Sequence, residues 1–143
     1  MSFSYCDHPA DIQITTPEAT CIEESICGLL LGMYNVMTPI EHVDPTQKFE
    51  IEAEGDDLYD LIYNIMDEAL FTFDCDLLVG SRARVLDIQC PKEGRFSIKV
   101  ELEGEVFDLD KHEQGTEVKA ITKSALRVVE SEESCIAWVI IDI

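Results

Sequence analysis

Apolar residues recur along this chain with two different periods, and the change from one period to the other outlines its elements. Residues 3–16 alternate loosely and are interrupted by His8-Pro9, which predicts a strand, a bend and a second short strand around Ile12 and Ile14. Thr20 followed by Glu23 has the form of a capping box, the hydroxyl accepting from a free backbone N–H while the glutamate reaches back. Ile22, Ile26, Leu29, Leu30, Met33 and Met37 then keep the 3.6-residue period of a helix, which Pro39 ends. Gly28 and Gly32 lie one turn apart in it. Glycine weakens an isolated helix, so the pair predicts close approach to a neighbouring element.

From Lys48 to Glu54 the chain alternates strictly, with Phe49, Ile51 and Ala53 inward, as a half-exposed strand does. Gly55-Asp56-Asp57 opens a second helix with acids at its positive end, and Leu58, Leu61, Ile62, Ile65, Met66, Ala69, Leu70 and Phe73 form its buried stripe. Residues 82–90 and 95–103 read as strands joined by a hairpin turn, Pro91-Lys92-Glu93-Gly94. A polar segment, Asp108 to Gly115, leads into a long strand predicted from Thr116 to Val129. Residues 131–134 turn that strand into the apolar run Cys135 to Ile141, in which Trp138 is expected in the core. The order is βαβα followed by four strands: an α+β domain spanning 1–143, a layered sandwich of antiparallel or mixed sheet with two helices.

Charge narrows the function. Thirty acidic and ten basic residues give a formal charge of −20. Such a surface repels a bare phosphate backbone, because nucleic-acid affinity comes from Lys and Arg neutralising phosphates. Strong direct nucleic-acid binding is therefore not expected, and RNA or DNA would be met through a partner protein. A basic protein or metal ions fit the charge better, and plain solubility explains much of it. The N-terminus has no charged-then-apolar signal pattern, and the apolar runs fall short of the ~18 residues of a membrane span. Six cysteines without CxxC spacing read as buried thiols of an intracellular protein, cytoplasmic or nuclear.

Candidate chemistry gathers at the two ends of the chain and in one internal segment. Asp142 follows the last apolar run, one residue from the final Ile143, so a side-chain carboxylate and a main-chain terminus meet at a strand end. Asp11, in the bend Asp7-His8-Pro9-Ala10-Asp11, is a candidate to join them, with His8 as a neighbouring partner or acid–base group. Converging carboxylates suit a hard cation such as Ca²⁺, Mg²⁺ or Mn²⁺; read blandly, Asp142 is a solvated strand end and Asp7 and His8 are turn residues. Lys111, His112 and Lys119 belong to the densest run of reactive side chains, Lys111 to Lys119, a candidate partner or phosphate contact. Lys123 and Arg127 follow it, and these read as cations offsetting neighbouring acids. No glycine-rich phosphate loop, GxSxG or HExxH occurs, no Ser or Cys stands out as a nucleophile, and no catalytic residue is assigned.

Four stretches taken together resemble the archease family: Asp7-His8-Pro9-Ala10-Asp11 with Ile12 to Ile14; Gly55-Asp56-Asp57-Leu58 through Asp67-Glu68; Lys111-His112-Glu113-Gln114-Gly115-Thr116-Glu117-Val118-Lys119 with Ala120-Ile121-Thr122; and Val139-Ile140-Ile141-Asp142-Ile143. The likeness spans nearly the whole chain in order, and the eukaryotic pattern looks closer than the archaeal one. The resemblance implies a layered α+β sandwich and a cofactor, not itself an enzyme, of the tRNA-splicing RNA ligase of the RtcB type. On that reading the protein speeds GTP-dependent guanylylation of the ligase and sustains its multiple turnover, meeting GTP and RNA only through the ligase. It also implies a divalent metal held by Asp11, Asp142 and Ile143, the last through its backbone or terminal oxygens. Pro9 departs from the threonine common after the motif's histidine, removing a hydroxyl and a backbone donor while keeping a bend. Two rival readings stay open: a stand-alone metal-dependent phosphoesterase using the same carboxylates, and an acidic chaperone or binding module acting through bulk charge.

Overall fold

The computed structural model describes residues 2–8 and 11–143, and for residues 6–8 the backbone alone. Strands β1 (Ser4–His8) and β2 (Asp11–Thr15) form the expected N-terminal pair, followed by helix α1 (Ile22–Met37), a single 3-10 turn at Ile40–His42, strand β3 (Gln47–Gly55) and helix α2 (Leu58–Asp76). Four strands complete the chain: β4 (Leu78–Gln89), β5 (Phe96–Val106), β6 (Ala120–Glu130) and β7 (Cys135–Asp142). They make two antiparallel sheets, one ordered β1-β2-β7-β6 and the other β3-β5-β4. Helix α1 packs against β4 of the second sheet and β7 and β2 of the first, and α2 against β3 of the second and β6 of the first. The helices are thus the middle layer of an α+β sandwich, in line with the fold expected from the pattern.

A middle layer explains why α1 is apolar beyond a single stripe. Cys27, Leu31 and Tyr34 are buried along with Ile26, Leu29, Leu30 and Met33, because sheet lies on both sides. Each such aliphatic side chain contributes roughly 1.5–3 kcal/mol by leaving water. The two glycines let the helix settle onto β2. A Cβ built on Gly32 would stand 2.7 Å from Cγ2 of Ile14, and one on Gly28 would stand 2.8 Å from Cγ2 of Thr16. At its start α1 is pinned to β7 by a buried polar chain. Ser25 Oγ donates to the Cys135 carbonyl, Thr16 Oγ1 lies 3.1 Å from Ser25 Oγ, and the Ala137 N–H donates to Thr16 Oγ1 at 3.1 Å.

Four local expectations need correction. The capping box does not form: Cys21 is the N-cap residue and makes no side-chain cap bond, while Thr20 turns its hydroxyl to Glu24. The last long strand begins at Ala120 rather than Thr116. Its would-be first residues spend their N–H groups elsewhere, Gly115 and Thr116 donating to the Met37 and Val36 carbonyls at 2.7 and 2.8 Å. They cap the C-terminus of α1, whose last carbonyls have no partner inside the helix. Trp138 is not in the core. On β7 the residues Cys135, Ala137, Val139 and Ile141 face inward, which puts Trp138 on the outer face, where the Arg127 guanidinium lies 4.2 Å from its ring centroid. Cys27 and Cys135 are buried thiols as expected, but Cys75 and Cys90 are exposed.

The close seating of α1 on β2 generates a stability prediction. Gly32→Ala adds helix propensity of up to ~1 kcal/mol but forces a methyl into Ile14, and overpacking of this kind costs about 1–3 kcal/mol. The expected net result is a destabilised protein in urea denaturation; a rise in the midpoint would mean that α1 can move off β2 without loss.

Candidate functional site at the end of the terminal strand

Strand β7 is the inner neighbour of both β2 and β6, so its last residue is flanked on two sides. Asp142 stands directly opposite Asp11 of β2 and opposite Ala120 of β6. Asp11 in turn pairs in register with His8 of β1. Because Ile12 and Ile141 are the neighbouring core-facing pair, Asp11 and Asp142 share the outer face of the sheet. Like charges directly opposite each other destabilise an antiparallel pair. Here both carboxylates are held half-buried, Asp142 on a strand whose inner face is fixed by Val139 and Ile141, each 0 % exposed. Ile143 packs partly against the core, which fixes the main chain just past Asp142.

Lys119 arrives at the same place by its backbone. Its N–H donates to the Asp142 carbonyl at 2.8 Å, immediately before β6 begins. Its side chain is exposed, and among the described residues no carboxylate pairs with its ammonium, whereas Lys111 and Lys123 each hold acids. Lys123 bonds Asp60 at 2.6 Å and lies over the Tyr63 ring, the charge-offsetting part expected of it. Arg127 instead stacks on Trp138.

The run Lys111 to Lys119 is divided between two places. His112 is 2 % exposed, its ring stacked on Phe107 with centroids 5.7 Å apart. Its Nδ1 accepts from the Asp108 N–H at 2.9 Å, so Nε2, 3.2 Å from Glu105 Oε2, is the nitrogen carrying hydrogen. Lys111 bridges Glu105 and Asp44, its ammonium 2.7–2.9 Å from their oxygens, and the Asp44 N–H reaches Glu105 at 2.6 Å. The Lys111 ammonium holds the Glu105 carboxyl down to about 2, with the Asp44 N–H and His112 helping against the cost of desolvation. Lys111 and His112 therefore fasten a strap, residues 107–119, whose far end delivers Lys119 to the carboxylates. Glu105 and Asp44 carry no sequence signal that separates them from the other acids; only their contact with Lys111 and His112 does.

Among the described residues no three His, Cys, Asp or Glu side chains come together as a metal cluster. Asp11 and Asp142 provide two carboxylates, so a cation here would need main-chain oxygen as well, and the Ile143 position can give it. The donor chemistry, all oxygen, fits a hard divalent ion. The side chain of His8, like Pro9 and Ala10, lies outside the described residues.

This chain matches the Archease protein family (MTH1598/TM1083) over residues 3–143. It is a member of the archease family. It is 41% identical to Protein archease of Danio rerio over 142 residues, covering 99% of this chain and 85% of that one. It is 39% identical to Protein archease-like of Drosophila melanogaster over 148 residues, covering 100% and 91%, and 35% identical to Protein archease of Thermococcus gammatolerans over 126 residues, covering 88% and 87%. Its fold matches the solution structure of Methanobacterium thermoautotrophicum protein 1598 with a TM-score of 0.80 at 25% identity, covering 99% and 98% of the two chains. Among the described residues no helix of this archease is long and apolar enough to cross a membrane.

The strap of this archease carries a pH signature. The folded Glu105 carboxyl titrates at about 2 against an ordinary 4.5, so its contribution to stability is complete above about 4.5 and is lost as pH falls toward 2. The protection factors of the Gly115 and Thr116 amides, corrected for intrinsic exchange, should fall across that window, and in Glu105→Gln they should be low already at neutral pH with less further change on acidification. Equal pH dependence in both proteins would show that Glu105 does not hold the strap.

Proposed function

We propose that this archease is a cofactor of an RtcB-type tRNA-splicing RNA ligase, an activator that promotes guanylylation of the ligase by GTP and sustains its turnover. Family membership supports a role beside a tRNA ligase, and the observation that carries the finer reading is the cross-strand placement of Asp11 against Asp142 at the end of β7. Asp11, Asp142 and main-chain oxygen at Ile143 would hold a divalent ion, Ca²⁺, Mg²⁺ or Mn²⁺. Such an ion supplies charge neutralisation for phosphate oxygens.

The chain's own residues do the positioning. The β2–β7 ladder holds the two carboxylates at a fixed separation, so no reorganisation is needed when a cation is shared with a phosphate. Lys119, whose backbone is bonded to Asp142 and whose exposed ammonium has no acid partner among the described residues, is a donor suited to a phosphate oxygen. The network of Lys111, His112, Glu105 and Asp44 acts at a distance, by fixing the strap that carries Lys119. RNA meets the ligase rather than this acidic surface.

The test is transfer of labelled GMP from GTP to a matched RtcB-type ligase, with this protein at a small fraction of the ligase concentration. Stimulation should persist at that ratio. Asp142→Asn should leave the melting temperature unchanged, because the residue is half-buried at a strand end, and return the rate to that of the ligase alone. Full stimulation by Asp142→Asn would remove the carboxylate site from the mechanism. Hydrolysis of a generic phosphodiester by the protein alone, lost in Asp11→Asn, would favour the phosphoesterase reading instead.

A further inference from the structure

The junction of α2 with the strap carries an apolar surface that, among the described residues, no other element covers. Leu77, Val106 and Leu109 are 43, 43 and 66 % exposed. With Phe107 they wall a cavity of about 630 Å³, completed by Asp108 and Asp110. Leu77 and Phe107 also wall a second cavity of about 240 Å³, floored by Met37, Phe73 and Val118 and bordered by Asp74 and Glu117. The two cavities adjoin at Leu77 and Phe107, and together they make a groove that is apolar at the centre and lined by four acids. Neither has a Lys or Arg among its lining residues.

Leu77 adds an independent observation. It terminates α2 at φ 58, in the left-handed region, with its N–H bonded to the Phe73 carbonyl. Termination requires only that backbone conformation, which glycine adopts with less strain. The leucine side chain instead adds exposed apolar surface at the mouth of both cavities. Gly115 to Val118 of the strap border the smaller cavity, and the next residue, Lys119, is bonded to Asp142. A segment lying in the groove would therefore enter beside the carboxylate end of β7.

We propose that this groove is where the RNA ligase docks, and that its occupant is a basic segment of the ligase carrying an aliphatic or aromatic anchor flanked by lysine or arginine. Charge complementarity argues for that chemistry: the groove offers apolar pockets to an anchor, and its charged lining residues are all acids. The proposal rests on the ligase-cofactor reading above and adds to it the surface and the kind of segment it takes. Docking here and activation at Asp11 and Asp142 are then separable, one setting affinity and the other the stimulated rate.

The experiment measures calorimetric affinity for a matched RtcB-type ligase and the concentration giving half-maximal GMP transfer. Leu77→Gly combined with Leu109→Ser removes two exposed anchors while suiting the positive φ at residue 77. The expected result is affinity weaker by about tenfold or more, with the wild-type rate recovered at saturating concentration. Asp108→Lys with Asp110→Lys leaves the apolar walls intact and should weaken binding and flatten its dependence on salt. Affinity unchanged in both double variants, with the wild type binding and stimulating, overturns the groove but not the cofactor reading. A wild-type protein that neither binds nor stimulates the ligase overturns both.

Discussion

The antiparallel pairing of β2 with β7 is the constraint on which the rest of the molecule depends. It joins the first and last strands of the chain, so that Asp11 and Asp142 meet although nothing in their local sequence links them. It also places β7 between β2 and β6, where its inner face is buried by α1. Because side chains alternate across a strand, burying Val139 and Ile141 inside dictates that Asp142 and Trp138 lie outside. A slip of one residue would exchange the two faces and bury the acid, so the core enforces the geometry of the site.

The middle layer turns that local constraint into a rigid platform. α1 is held at its start by Ser25 and Thr16 against β7, along its length by Gly28 and Gly32 against β2, and at its end by the Gly115 and Thr116 amides. The last of these contacts belongs to the strap, which Glu105, Lys111 and His112 clamp at its other side. One segment therefore caps a helix, closes an apolar groove and brings Lys119 to the carboxylates.

Much of this was legible in the residues, for identifiable reasons. The two helices announced themselves because their apolar period is long and unbroken, and Gly28 and Gly32 signalled close packing because nothing else favours glycine inside a helix. The terminal strand was legible because it is a short apolar run with an acid at its end. What escaped reading depended on contacts distant in sequence. Thr116 and Val118 alternate like a strand, but a helix terminus claims the Thr116 amide. Trp138 belongs to an apolar run with both faces hydrophobic, and only the register with Ile141 shows which face is inside. His112 looked reactive beside Lys111 and Glu113, yet the fold stacks it on Phe107 and bonds it to a backbone amide. The fold class was readable; the meeting of Asp11 with Asp142 was only a candidate in the residues and was implied by the family resemblance, and the division of Lys111 to Lys119 into a clamp and a site was not legible.

On the proposed reading Asp11 and Asp142 form one specific cation site in a chain of thirty acids. Paramagnetic broadening of backbone amides during titration with Mn²⁺ tests it most directly, since the effect falls off steeply with distance from the ion. The amides of Asp11, Ile12, Lys119, Asp142 and Ile143 should broaden first, at sub-stoichiometric metal. Broadening that begins instead at the strap acids or the first turn of α2, leaving the ends of β2 and β7 sharp, would contradict it.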